Sequence, residues 1–220
     1  MGPTILTTNQ SALLQQLSQE KLIREKFYLS GGTALAEFYL HHRLSEDLDF
    51  FSEKEFDSTD IFTILKKIQK KVKFKKIDFQ QSFNRNLFFI HIDKDVIKTE
   101  FTYYPFPIIQ KGLKTNGLKI DSLLDIAVNK VFTMYQKPRS RDFIDLYCIL
   151  QKKEWTFDDL IKKAKIKFDW HIDPVQMGSQ LLKVTELKDL PRMKIKIDQK
   201  IWQNFFLDIA KRLSPKIFKP

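Results

Sequence analysis

Cysteine is nearly absent: the 220 residues hold one, Cys148. A single thiol excludes an internal disulfide framework and suits a reducing compartment. It lies in the apolar run 143–150, where a packed small hydrophobe is expected rather than a nucleophile. Long hydrophobic runs are missing too. No stretch approaches the roughly 20 apolar residues that span a bilayer, so no membrane segment is expected. The first residues lack a basic start followed by an apolar stretch, which argues against a secretory leader. Leu6 removes the pattern for myristoylation. No internal repeat or low-complexity block occurs. These absences describe a globular chain expected in the cytoplasm.

What is present in excess is positive charge, with 38 Lys+Arg against 27 Asp+Glu and a formal net charge of +11. Such a balance favours polyanionic partners such as nucleotides or nucleic acid, although it also serves simple solubility. Lysine greatly outnumbers arginine, so charge alone gives no argument for bidentate base reading. A hydrophobic content of 43% is ample for a packed core, and 220 residues fit one large domain or two small ones.

The periodicity divides the chain near residues 110–120. Before it, Asn9–Lys26 reads as an amphipathic helix, Phe27–Leu29 as a short buried strand, Gly31-Gly32 as a turn and Thr33–His41 as a helix. Asp47–Phe51 is the next strand. Asp57 or Ser58 then caps a helix through Ile68 that runs into the basic segment Lys66–Lys76. Val72–Phe79, Leu87–Ile92 and Val96–Tyr103 have the alternation of strands, with a hairpin turn at Asp93-Lys94-Asp95. Pro105 and Pro107 stop the sheet pattern, and Lys111–Gly117 reads as a polar link.

Beyond Ile120 the pattern is helical. Helices are expected from Asp121 or Ser122 to Tyr135, over Arg139–Gln151, after the capping box Thr156-x-x-Asp159, over Pro174–Val184 and over Gln199–Leu213. The fold class is α+β: an α/β domain over 1–115 and a helical domain over 116–220.

Four pieces carry chemistry. Asp47 and Asp49 stand two apart on a strand, so they share a face roughly 7 Å apart, with Leu48 and Phe50 packing behind them. Two carboxylates on one rigid strand suit a hard cation such as Mg²⁺, which takes one or two carboxylates plus phosphate oxygens. Gly31-Gly32-Thr33 forms a strand-to-helix turn whose amides and hydroxyl could hold β/γ phosphates; a tight turn is the plainer explanation of two glycines. Glu100 alternates with apolar residues on its strand and is a candidate third metal ligand or general base, or else a surface residue. Lys130 lies on the Ile126/Ala127 side of its helix, where snorkelling and phosphate contact explain it equally well. His41 and His42 point about 100° apart on a helix and do not suit a shared metal.

The residues Gly31-Gly32-Thr33-Ala34-Leu35, then His42-Arg43-x-Ser45-x-Asp47-Leu48-Asp49-Phe50-Phe51, then Lys130 and Arg139-x-Arg141-Asp142-Phe143-x-Asp145-Leu146, stand in a telling order. This pattern resembles the AbiEii/AbiGii toxin family of nucleotidyltransferases, a branch of the DNA polymerase β-like superfamily. The resemblance implies a nucleotidyltransferase fold with a mixed sheet. It implies a nucleoside triphosphate substrate contacted by Gly31, Gly32, Thr33, Ser45, Lys130 and Arg141. Mg²⁺ or Mn²⁺ would sit on Asp47, Asp49 and, less directly, Glu100. Asp142 would belong to the last catalytic motif, whereas Asp145 reads mainly as a structural partner of Lys130, Arg139 or Arg141. The chain departs from the wider superfamily in having Gly-Gly-Thr where Gly-Ser is common, and a long interval from Gly32 to Asp47.

The resemblance further implies transfer of a nucleoside monophosphate to an acceptor, with RNA (the tRNA 3′ end) ahead of a protein or small molecule, and a cognate antitoxin protein as partner. A non-catalytic nucleotide-binding module is the alternative from a different class.

Overall fold

A computed structural model describes residues 4–217, with side chains described through Leu213. The chain divides into two units, residues 1–122 and 123–220.

The first unit begins with α1 (Thr8–Gln19), opened by a capping box in which Thr7 and Gln10 satisfy each other's backbone amides. The single helix expected over Asn9–Lys26 is two. Glu20 takes an extended conformation and ends α1, and α2 (Lys21–Lys26) follows. Strand β1 (Tyr28–Ser30) leads directly into α3 (Gly31–Leu35), whose last turn widens into a π-turn over Ala36–Leu40. His41, at φ 51°, terminates it. Strand β2 (Leu48–Ser52) comes next, with Asp47 standing just before it.

Helix α4 (Ser58–Val72) is capped by the Asp57 side chain, which accepts from the Thr59 amide. It continues through Val72, so the strand expected to begin there starts instead at Lys76. The next strands are β3 (Lys76–Ser82), β4 (Arg85–Ile92) and β5 (Asp95–Tyr103). Two-residue loops at Phe83-Asn84 and Asp93-Lys94 join them, with Phe83 and Asp93 at positive φ as tight hairpins require.

The polar link expected over Lys111–Gly117 contains a further hairpin. Strand β6 (Lys114–Thr115) turns through Asn116-Gly117 into β7 (Leu118–Ile120). Both turn residues have positive φ, the conformation an Asn-Gly pair adopts at least cost. The seven strands form one mixed sheet in the order β3-β4-β5-β2-β1-β7-β6. The β2/β5 and β1/β7 pairs are parallel and the others antiparallel.

One sheet face is apolar. Leu48, Phe50, Ile97, Phe101, Phe88 and Ile90 are buried there, with the Phe50 and Phe101 rings stacked at 4.9 Å. Phe62 of α4 meets Phe88 edge-on, so α4 covers this face. The opposite face carries the alternate residues, and it is there that the charges gather.

The second unit is helical: α5 (Leu123–Gln136), α6 (Ser140–Lys152), α7 (Phe157–Phe168), α8 (Pro174–Leu182) and α9 (Gln199–Ile217). The Thr156/Asp159 capping box opens α7, and Asp173 with Pro174 opens α8. Phe143 and Phe206 pack at 4.9 Å between α6 and α9. A fully buried ion pair, Lys167 Nζ to Asp125 Oδ1 at 2.7 Å, ties α7 to α5.

Candidate active site

The strand register assembles the first unit's site. Ser30 on β1 pairs with Asp49 on β2, Asp49 with Glu100 on β5, and Glu100 with Leu87 on β4. These four side chains form one row across the sheet on the face opposite the Phe50/Phe101 core. Asp47 lies one step outside this row beside Lys98, and Phe51, Thr102 and Arg85 form the row on the other side.

Gly31 is positioned by this row. Its φ is +70°, and a β-carbon there would collide with the Asp49 carboxylate. The site therefore needs glycine both for conformation and for room. Gly32 is similarly confined: a β-carbon would lie 2.5 Å from Arg43 Nη2 and 3.1 Å from Ser45 Oγ. Arg43 is among the largest fully buried side chains, and its Nη1 donates to the Leu44 carbonyl at 2.9 Å.

The loop entering β2 is pinned further by Gln10 of α1. Its Nε2 donates to the Ser45 and Glu46 carbonyls at 3.0 and 2.9 Å. Thr33 is fully buried, and its hydroxyl donates to the Asp47 carbonyl. That hydroxyl thus fixes the backbone that presents Asp47. On the other side of Gly31, Ser30 Oγ donates to Asp121 Oδ2 at 2.7 Å, and the Asp121 amide donates to the Leu29 carbonyl.

Two cations that the sequence reading did not single out complete the row. Arg85 holds Glu100 through a parallel pair of hydrogen bonds, Nε to Oε1 and Nη2 to Oε2, each 2.6 Å. Thr102 Oγ1 adds a third donor to Oε1 at 2.7 Å. Lys98 Nζ lies 2.9 Å from Asp47 Oδ2 and 3.7 Å from Glu100 Oε2. Burial pushes the Glu100 carboxyl up, but the hydrogen bonds of Arg85 and Thr102 and the charges of Arg85 and Lys98 outweigh it, leaving it below the usual carboxylate value. The Arg85 guanidinium is raised, first by its bonds to Glu100 and also by the fields of Asp49 and Asp47.

Lys98 and Thr102 flank Glu100 at two-residue spacing, so strand alternation could have revealed them. Arg85 comes from a neighbouring strand, and only the register brings it in.

Among the described residues, no three His, Cys, Asp or Glu side chains converge as a ready-made metal cluster. The donor chemistry nevertheless fits a hard divalent ion. All candidate ligands are carboxylate oxygens, and the Lys98 ammonium, between Asp47 and Glu100, shows that two of them already share one cation.

In the second unit, Lys130 of α5 projects between two carboxylates of α6. Its Nζ lies 3.0 Å from Asp142 Oδ1 and 2.6 Å from Asp145 Oδ2. The other Asp142 oxygen accepts from the Arg139 backbone amide at 3.3 Å and from Arg139 Nε at 3.4 Å. Asp142 and Asp145 are buried, and Arg141 is half-buried. The sequence reading offered Lys130, Arg139 or Arg141 as partner of these acids, and the structure sets Lys130 against both of them.

Comparison with known proteins bears on this arrangement. An uncharacterised protein of Aquifex aeolicus (strain VF5) is 36% identical over 146 residues, covering 64% of this chain and 66% of that protein, just under two thirds of its length. JHP933 from Helicobacter pylori has a similar fold, with a TM-score of 0.61 at 20% identity over 95% of this chain and 91% of that one. So does MenT4, a nucleotidyltransferase toxin from Mycobacterium tuberculosis H37Rv, with a TM-score of 0.57 at 14% identity over 94% and 86%. A family model matches residues 12–217, which include Gly31, Asp47, Asp49, Glu100, Lys130 and Asp142. The chain belongs to the nucleotidyl transferase AbiEii toxin family of type IV toxin–antitoxin systems.

Proposed function

We propose that the protein transfers a nucleoside monophosphate from a nucleoside triphosphate to a hydroxyl of an acceptor RNA, such as the tRNA 3′ end. We propose further that it does so in the cytoplasm as a toxin restrained by a cognate antitoxin protein. The observation that carries this reading is the placement of Asp47, Asp49 and Glu100 on one sheet face beside Gly31, within a chain of this family.

In the reaction, the acceptor oxygen attacks the α-phosphorus and loses its proton to solvent water. The bond from that phosphorus to the bridging oxygen breaks, and pyrophosphate leaves. Asp47, Asp49 and Glu100 would hold Mg²⁺ or Mn²⁺, which when bound would supply neutralisation of the charge that builds on the reacting oxygens. The chain's own residues do the positioning. Thr33 and Gln10 fix the backbone that presents Asp47, and Gly31 leaves room for Asp49. Gly31 and Gly32 supply main chain that a triphosphate can approach, with Ser45 alongside. Glu100, kept ionised by Arg85 and Thr102, suits a cation-holding role better than that of a proton acceptor. For Lys130 and Arg141 the family resemblance implies phosphate handling, and for Asp142 a place in the last catalytic motif. The Lys130–Asp142–Asp145 cluster supports a structural contribution within the helical unit as well.

The lysine-rich segments 66–76 and from 152 onward support an RNA acceptor, since they offer charge for tracking a phosphate backbone. Among the described residues, no helix is long and apolar enough to cross a membrane.

Incubation of the protein with each labelled nucleoside triphosphate, Mg²⁺ and total RNA tests the proposal. Label is expected in RNA, and Asp47→Asn is expected to abolish it while leaving the fold intact. Label in protein or a small molecule would move the acceptor to those classes. No transfer to any acceptor, with wild-type biological effect retained by Asp47→Asn, would establish a binding module instead.

A further inference from the structure

A second cleft lies on the sheet face away from the carboxylates, where α4 begins. It has a volume of about 520 Å³ and is lined chiefly by Lys26, Glu55, Phe56, Asp57, Gln81 and Asn86. Gln81 and Asn86 are direct partners across β3 and β4, and Asn86 is also the partner of Phe101, a residue of the apolar face.

Asn86 lines the cleft and is only 6% exposed. Its orientation is set, because Nδ2 donates to the Phe101 carbonyl at 3.3 Å. Oδ1 is then left buried with no hydrogen-bond partner among the described residues. A buried acceptor of this kind is rare in a folded chain and needs a donor from elsewhere.

The rim points to the same chemistry. Glu55 and Asp57 are exposed carboxylates, set against the single cation Lys26, so the lining is locally acidic in a chain of net charge +11. The Phe56 ring, half-buried against Phe27 at 4.8 Å, adds an aromatic wall. Acceptor-rich walls, an aromatic ring and an unpaired amide oxygen suit a ligand that is cationic and rich in N–H donors.

We propose that this cleft binds a guanidinium or primary-amine group, with the Asn86 carbonyl in its lining and the Glu55 and Asp57 carboxylates at its rim. The inference is independent of the transfer reaction. The same group could come from a small organic cation or from an arginine side chain of a protein.

Agmatine and a blocked Gly-Arg-Gly peptide, titrated separately into the full-length chain and followed by backbone and side-chain amide shifts, test it. A blocked Gly-Gln-Gly peptide serves as the neutral control. Saturable shifts are expected at residues 55–58 and 81–86 with the cations and not with the control. Tighter binding of agmatine would identify a small-molecule ligand, and tighter binding of the peptide a protein side chain. Glu55→Gln and Asp57→Asn, the latter retaining a capping side chain, are each expected to weaken binding about fivefold. Asn86→Leu is expected to abolish it, and if that variant fails to fold, the two rim variants decide. Absence of saturable shifts, equal binding of the neutral peptide, or an affinity indifferent to both rim substitutions would overturn the proposal.

Discussion

Arg85 and Glu100 are joined across β4 and β5 by two parallel hydrogen bonds of 2.6 Å, with the carboxylate buried and the guanidinium half exposed. Arg85→Ala leaves Glu100 with Thr102 and a more distant Lys98. Discounted for the exposure of the arginine, the loss is about 2 kcal/mol at pH 7. The folded-state pKa of Glu100 is depressed, so its contribution is present above the ordinary carboxyl value of 4.5 and is lost as pH falls through the lower folded value. The stability gap between wild type and Arg85→Ala, read by urea unfolding, is therefore full at pH 7 and closes as pH falls below 4.5.

Gly31→Ala is expected to fail twice over. Alanine at φ +70° is strained, and its β-carbon meets the Asp49 carboxylate. A loss of about 2 kcal/mol or more is expected in thermal or denaturant unfolding, together with loss of nucleotide transfer. Retention of wild-type stability would mean that Asp49 can move aside freely.

The buried Lys167–Asp125 pair offers a test confined to the helical unit. Lys167→Met removes the ammonium from a fully buried carboxylate and is expected to cost about 3 kcal/mol. Replacing both partners, as Lys167→Met with Asp125→Leu, is expected to recover most of that loss. Denaturant midpoints of the two single variants and the double variant decide it.

Asp145 and Asp142 both meet Lys130, yet they differ in what else they do. Asp145 is 0% exposed and makes the shorter contact, 2.6 Å. Asp142 also serves the Arg139 backbone amide, a task asparagine can share. Asp145→Ala is expected to lower stability by about 3 kcal/mol and Asp142→Asn by about 1 kcal/mol. Melting temperatures compare the two.

Local signals in the sequence carried far. The Asp57 cap, the Thr156/Asp159 box and the alternation of β4 and β5 each depend on neighbours a few residues apart, and each stands as the sequence reads. The β6/β7 hairpin escaped notice because its strands are two and three residues long, too short for alternation to register, although Asn116-Gly117 marked the turn. Arg85 escaped for a different reason. Its partner is 15 residues away on another strand, and no spacing rule encodes that contact. The break at Glu20 lies within an apolar pattern that continues across it, so periodicity alone joined α1 to α2.

The alternation of β2 has a consequence for how this protein can change. Leu48 and Phe50 build the core while Asp47 and Asp49 face the other way. A one-residue insertion or slip in this strand would exchange the two sets, driving carboxylates into the aromatic stack and the core residues into solvent. The candidate acids and the core are thus encoded in the same four positions, and a shift of frame there cannot disturb the one while sparing the other. A catalytically dead but stable variant must come from replacing an acid with its amide, never from shifting the frame that holds it.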